Sequence, residues 1–137
     1  MTIQLSVGVR NAMLDGIEVA IGASAVVKLR VGAQPVDTSA ADTGVVVATF
    51  NLLADYMSAA AAGAKSFSSL PLEDVSADNL GVLGHYRVYA LDGVTCHMQG
   101  SITVTGGGGD MTVDNPIVAA GQNIKITSWT INMAGHA

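Results

Sequence analysis

From residue 9 to residue 21 the apolar residues Val9, Met13, Ile17 and Ile21 recur every four positions, with Leu14 and Ala20 beside them and Arg10, Asp15 and Glu18 elsewhere. That spacing predicts an amphipathic helix that stops near Gly22. Gly16 inside it costs on the order of 1 kcal/mol against Ala, so the helix depends on docking its apolar stripe, either in its own domain or on a neighbour.

Beyond Ser24 the period changes to short runs of Val, Ile and Thr separated by Gly, Pro, Asp and Asn, the pattern of strands and turns. Val27, Leu29 and Val31 alternate with Lys28 and Arg30, which predicts a strand with one wet face ending at the turn through Gly32 and Pro35. Residues 44–53 are apolar on both faces, with Val45 and Val47 on one and Val46, Ala48, Phe50 and Leu52 on the other. Such a strand is either central in a sandwich or covered by a partner. Residues 55–62 are expected to form a short turn of helix, followed by a strand near residues 65–70, and residues 71–84 a long surface loop.

The segment from His85 to Val104 allows a register argument. A two-residue turn at Asp92 and Gly93 would place polar His97 and Gln99 on the face of Tyr86 and Val88. A pairing one residue longer sets Val88 against Met98 and Ala90 against Cys96. Tyr86, Val88, Ala90, Cys96, Met98, Ile102 and Val104 then share one face, and His85, Arg87, Tyr89, His97, Gln99 and Ser101 share the other. Because a one-residue slip exchanges the faces, burial selects the second register, through a three-residue loop or a bulge. A short strand over residues 110–114 and a last strand over 123–133 follow. In the last strand Ile124 and Ile126 point one way and Trp129, Ile131 and Met133 the other, so either a bulge switches the faces or both are covered.

Seven or eight short strands of this kind predict a mainly β chain: an antiparallel, jelly-roll-like β-sandwich carrying an N-terminal amphipathic helix. At 137 residues it reads as one structural domain, with a helical segment at 1–24 and the β-sandwich at 25–137. Hydrophobic residues make up 50% of the chain and aromatics only 4%, so the core must be built from small side chains. A net charge of −5 gives no electrostatic footprint for nucleic acid or an anionic membrane. No apolar window is long enough to span a bilayer, and the first residues lack the pattern of a secretory signal.

Candidate chemistry is sparse. The run from Gly106 to Gly109 lacks the Lys and helix of a phosphate loop, and Ala62-Gly63-Ala64-Lys65-Ser66 lacks its upstream Gly. The single Cys96 excludes an internal disulfide and is expected in the core rather than as a nucleophile. His85 and His97 share the wet face without pairing directly, and His136 lies in a tail. Asp110 and Asp114 read as solvated carboxylates flanking turns, since the spacing of a calcium loop is missing. No arrangement of Ser, His and Asp announces a catalytic centre, so no enzyme, cofactor or metal site is expected. What stands out instead is apolar surface that a small domain would struggle to bury. Met13, Ile17, Ile21, Val46, Phe50, Trp129, Ile131 and Met133 are therefore the candidate interface residues, against the alternative that both faces are internal.

A family resemblance rests on Lys28-Leu29-Arg30-Val31-Gly32-Ala33-Gln34-Pro35, Ala41-Asp42-Thr43-Gly44, Ser76-Ala77-Asp78, Gly84-His85-Tyr86-Arg87-Val88-Tyr89, Asp92-Gly93, the segment from Gly106 to Met111, and Ala120-Gly121-Gln122. Over residues 5–133 the chain resembles the capsid cement, or decoration, proteins of short-tailed bacteriophages. The resemblance implies a structural virion protein that binds the outer surface of the capsid, probes no chemistry of its own, and bridges subunits of the major capsid protein as a homodimer. Its place would be the outside of the virion, and the host cytoplasm during assembly. The alternative is a tail-fibre or baseplate module with receptor or glycan binding.

Overall fold

The computed structural model describes residues 3–133. The one helix, α1 (Val7–Ile21), is capped at its start by the Ser6 hydroxyl, which accepts a hydrogen bond from the Val9 amide, and ends at Gly22, whose φ of 92° suits a residue without a side chain. Nine strands follow among the described residues: β1 (Val26–Val31), β2 (Val46–Asn51), β3 (Ala64–Ser66), β4 (Leu72–Asp74), β5 (Gly81–Tyr89), β6 (Cys96–Val104), β7 (Met111–Val113), β8 (Ile117–Val118) and β9 (Ile124–Asn132). They pair in the order β2-β1-β5-β6-β7-β9-β3, with β4 on β9 and β8 on β5.

The chain is therefore mainly β with one helix, but the purely antiparallel sheet expected from the sequence is corrected: β6 and β7 run parallel. Parallel neighbours ordinarily need a crossover of about a dozen residues or more. Here residues 105–110 suffice because glycine lets the chain double back tightly. Gly106 and Gly108 sit at φ of 85° and 84°, and a Cβ on Gly107 or Gly109 would lie within 2.9 Å of Thr103.

The sheet curls strongly. Strands β5 and β9 are separated by two others, about 14 Å apart in a flat sheet. Yet Tyr86 of β5 and Trp129 of β9 meet edge to face with ring centroids 5.1 Å apart. Phe67 stacks on the same indole, and Tyr56 lies beyond it. The two ends of the curl also meet: the Asp78 amide, just after β4, donates to the Val47 carbonyl of β2 at 2.8 Å. The core inside this curl combines Val27, Leu29, Val47, Val88, Met111, Val113, Ile124 and Ile126, all fully buried.

Four bulges decide which side chains reach that core; in β5 the extra residue is Gly84, since Arg30 faces His85 and Val31 faces Leu83, and Leu83 turns inward. In β2 the extra residue is Val47, since Leu29 faces Ala48 and Arg30 faces Val46. Adjacent Val47 and Ala48 are both buried as a result, and the two-faced apolar run belongs to the end strand of the sheet, not to a central one. In the β5–β6 hairpin Val88 pairs with Met98 as expected, but His97 is extra and Tyr89 pairs with Cys96, replacing the expected pairing of Ala90 with Cys96. In β9 a bulge at Thr127 lets Ile124, Ile126 and Trp129 all turn inward.

Two further expectations are corrected. Residues 55–62 form no helix; Ala62 and Gly63 both take positive φ, and isolated bridges join Met57 to Phe67 and Ala61 to Ala64. The reason lies in α1, whose Glu18 accepts from the amides of Tyr56 and Met57, Asp15 from Ala60 and Asn11 from Gly63. Those amides have side-chain partners in place of helical ones. Residues 71–84 are likewise not one loop, because they contain β4 and the start of β5.

Candidate functional site

The largest polar assembly lies on the face of β1 and β5 expected to be wet. His85, Arg87 and Tyr89 are instead buried, Arg87 to 1% exposure, and Arg30 with them. The cover is the chain between β1 and β2, a strap over residues 32–44. Arg87 donates through Nη1 to Asp42 Oδ1 at 2.5 Å and to the Ala40 carbonyl, and through Nη2 to the carbonyls of Thr38 and Asp37. Arg30 donates to Asp42 Oδ2 at 2.9 Å, to the Gly44 carbonyl and to the Tyr89 hydroxyl. The Tyr89 hydroxyl in turn donates to Asp42 Oδ1 at 2.7 Å. One carboxylate thus serves two buried guanidiniums, and the strap's own carbonyls accept the remaining Nη hydrogens of Arg87 and one from Arg30.

Burial alone would raise the Asp42 pKa, but donation from Tyr89 and Arg87 and the charge of Arg30 outweigh it and hold the carboxyl below its ordinary 3.8. Burial pushes the Tyr89 hydroxyl up to about 12. His85 faces the Gly32 carbonyl through Nδ1 at 2.7 Å, so Nδ1 carries the proton in the neutral ring. Burial, reinforced by Arg30 and Arg87, lowers its pKa from 6.5 against the opposing pull of Gly32 and Asp42.

Both groups make the fold sensitive to acid in the same direction. An unfolded His85 binds a proton near pH 6.5 that the buried ring refuses, and an unfolded Asp42 binds one near pH 3.8 that the clamped carboxylate refuses. In each window the unfolded chain holds more protons, so stability falls as pH falls. The urea midpoint is expected to decline in two stages, one starting below pH 6.5 and one below pH 3.8. His85→Asn, which keeps a donor for Gly32, should flatten the first stage only; an unchanged first stage would exclude His85 as its source.

The remaining chemical candidates serve the fold in the same way. Cys96 is half-buried on the Tyr89 side of the sheet, because the bulge at His97 moves it off the core face where the sequence pattern puts it. It lines a crevice of about 470 Å³ with Asp42, Arg87 and Thr95, between the strap and the hairpin tip. His97 is exposed while His85 is buried, so the two are not companions on one wet face. His136 lies outside the described residues. Asp110 accepts from the amide and hydroxyl of Ser101, and Asp114 from the amides of Asn115 and Lys125. The glycine run leads into a strand rather than a helix. Among the described residues no three His, Cys, Asp or Glu side chains are grouped to hold a metal ion, and no helix is long and apolar enough to cross a membrane.

The candidate interface residues divide. Ile21, Phe50 and Trp129 are corrected: they are core residues, with Trp129 only 1% exposed. Ile17, Val46, Ile131 and Met133 are half-buried. Of these, Ile17 and Ile131 border a cleft of about 440 Å³ with Tyr86 and Met98. Met13 alone is well exposed, at 50%. The repeat of four explains the split, since four residues turn a helix by about 400°, so the stripe drifts by about 40° per step and winds from exposed Val9 and Met13 to buried Ile21.

Two apolar surfaces emerge, the first of which keeps Val9 and Met13 of the stripe expected from the sequence and parts from Ile17 and Ile21. On α1 the polar residues Asn11, Asp15 and Glu18 face the body and hold it by hydrogen bonds, while Gly8, Val9, Ala12, Met13, Gly16, Val19 and Ala20 face outward. At the start of β5, Val82 pairs with Ile117 of β8, and these two and Leu80 are 57%, 68% and 72% exposed. Of the first only Met13 was among the candidate interface residues, because the rest depends on which side of α1 meets the body; the second was not legible, since it depends on a two-residue strand. Comparison with known families, curated proteins and solved structures gives no match to this chain.

Proposed function

We propose that this chain is a structural component of a phage particle, a cement protein that binds the outer surface of the capsid and bridges subunits of the major capsid protein. The observation that carries the reading is the pair of exposed apolar surfaces. One is the outer face of α1, which runs into β1 beside the Tyr89 end of β5, and the other is the Leu80, Val82 and Ile117 patch at the opposite end of that strand. A protein with two such surfaces can join two bodies, and many weak symmetric attachments add up on a shell.

The charge distribution supports an outward position. Three of the six cations, Arg30, Lys65 and Arg87, are buried and paired with Asp42, Asp15 and Glu18, so these groups largely cancel and the rest of the exterior keeps the acidic balance of the net charge of −5. Such a surface suits the outside of a shell better than contact with packaged DNA. The proposal includes the jelly-roll-like sandwich that the resemblance implies, supported by the way the curled sheet brings β2 against the chain after β4.

Shells of major capsid protein lacking this chain are expected to take up the purified protein and then survive heating that opens bare shells. Val82→Asp combined with Ile117→Asp should weaken uptake about tenfold or more, equivalent to at least ~1.4 kcal/mol, while the free protein still folds. Uptake in hundreds of copies fits a shell component. Binding restricted to tail structures would overturn the assignment in favour of a tail module, and no uptake would overturn it outright.

A further inference from the structure

The bulge at His97 puts Cys96 on the strap side of β6, half-buried, in the crevice of about 470 Å³ that it lines with Asp42, Arg87 and Thr95. Cys96 pairs with Tyr89, and Arg87 lies two residues before Tyr89 on the same face, so the thiol and the guanidinium are diagonal neighbours across the hairpin. The sulfur is close enough to help hold Arg87 in its charged form. The Nη hydrogens of Arg87 are all spent, on Asp42 and on the carbonyls of Asp37, Thr38 and Ala40. Its Nε–H, on a side chain only 1% exposed, has no partner among the described residues. An unanswered donor at such depth is costly, and beside it stands an atom that can acquire an oxygen. Charge points the same way. Arg30 and Arg87 share the single carboxylate of Asp42, while Asp37 is engaged by Ser39 and Ala40 and Asp92 by Val94 and Thr95, so the buried cluster carries an excess positive charge. From the unpaired Nε, the excess charge and the thiol beside them, we propose that Cys96 is a site of reversible oxidation by hydroperoxides, and that the oxygen it gains is the acceptor for Arg87 Nε.

Hydrogen peroxide is the simplest such oxidant, and the crevice admits it. The Cys96 thiol releases its proton, the sulfur attacks one peroxide oxygen, and the O–O bond breaks as the S–O bond forms. The departing hydroxide takes up the proton and leaves as water; sulfur loses two electrons and the peroxide gains them. The product is a sulfenate, an anionic acceptor set against a free donor and a spare positive charge. Cys96 is the chain's single cysteine, so no internal disulfide consumes it. An external thiol condenses with the oxidised sulfur, losing water, and a second thiol then releases Cys96 by exchange. Because Arg87 also grips the strap, the oxygen ties β6 through Arg87 to residues 37–42, and oxidation tightens the strap.

Peroxide treatment of the full chain with dimedone as the trap tests this. Dimedone reports sulfenate alone, and Cys96→Ser measures whatever the six methionines contribute. Folded wild type is expected to form the adduct at Cys96 several-fold faster than the same chain in urea, although partial burial alone would make it slower. After one equivalent of peroxide the urea midpoint should rise by an amount equivalent to about 3–5 °C in melting temperature, with slower hydrogen exchange over residues 32–44, and dithiothreitol should restore both the thiol titre and the original midpoint. Arg87→Lys removes Nε, so wherever it retains the circular dichroism of the fold it should lose the gain; if it unfolds, the wild-type comparison decides alone. Slower trapping in the folded chain, a midpoint that stays level or falls on oxidation, or a thiol that dithiothreitol does not recover would overturn the inference.

Discussion

Trp129→Ala is expected to lower the stability of the fold by about 3–5 kcal/mol, the largest effect of any single truncation in this core. The indole is 1% exposed and occupies the inside of the curl, where Phe67 stacks flat against it and Tyr86 meets it edge-on. Phe67 and Tyr86 both lose their ring contacts with it, and a cavity is left between them. Trp129→Asp should leave an unfolded chain rather than a folded monomer with a damaged surface, because it buries a carboxylate between two aromatic rings. Urea unfolding followed by circular dichroism reads both variants without needing the indole as a reporter. A loss below about 1 kcal/mol for Trp129→Ala would mean that the residue packs on a partner and not on its own core.

The second large effect is expected at Asp42. Asp42→Asn keeps the shape but removes the one carboxylate shared by Arg30, Arg87 and Tyr89, and at least one buried guanidinium then faces an amide it cannot pair with. Breaking a buried ion pair from one side typically costs about 3–5 kcal/mol. The Asp42 side chain is itself 40% exposed, which admits water and places the expected loss near the lower limit, about 3 kcal/mol. For a domain of this size that is a fall of about 10 °C in melting temperature. Hydrogen exchange should accelerate over residues 32–44 before it does anywhere in β1 or β5. Uniform loss of protection would show that the strap is not a separately held unit.

Much of the local structure follows from the residues in order. The helix, β1, the β5–β6 hairpin and β9 are carried by periodicity that is local to each. Even two of the four bulges leave a trace, since the hairpin pattern and the reversal between Ile126 and Trp129 each require an extra residue. The wet face of β1 and β5 failed for a reason outside those elements: a strap from the next loop covers it, and polar Arg30, Arg87 and Tyr89 are what the strap binds. Alternation of polar and apolar residues predicts a solvated face only when nothing else in the chain wants those polar groups. The candidate interface failed for the complementary reason. Phe50 and Trp129 belong to a curl whose radius depends on strands far apart in sequence, and Met13 and Ile21 share a repeat that does not share a face.

The approach of the chain after β4 to β2 has a consequence for how copies can associate. The Asp78 amide and the Asn79 side chain occupy the carbonyls of Val47 and Val46 on the outer rim of the sheet, and the strand at the other terminus of the pairing order, β3, spans only three residues. Neither rim offers a long bare ladder onto which another chain could zip. Open-ended growth into fibres by strand addition at these rims is thereby blocked, and attachment is confined to side-chain surfaces that saturate once filled.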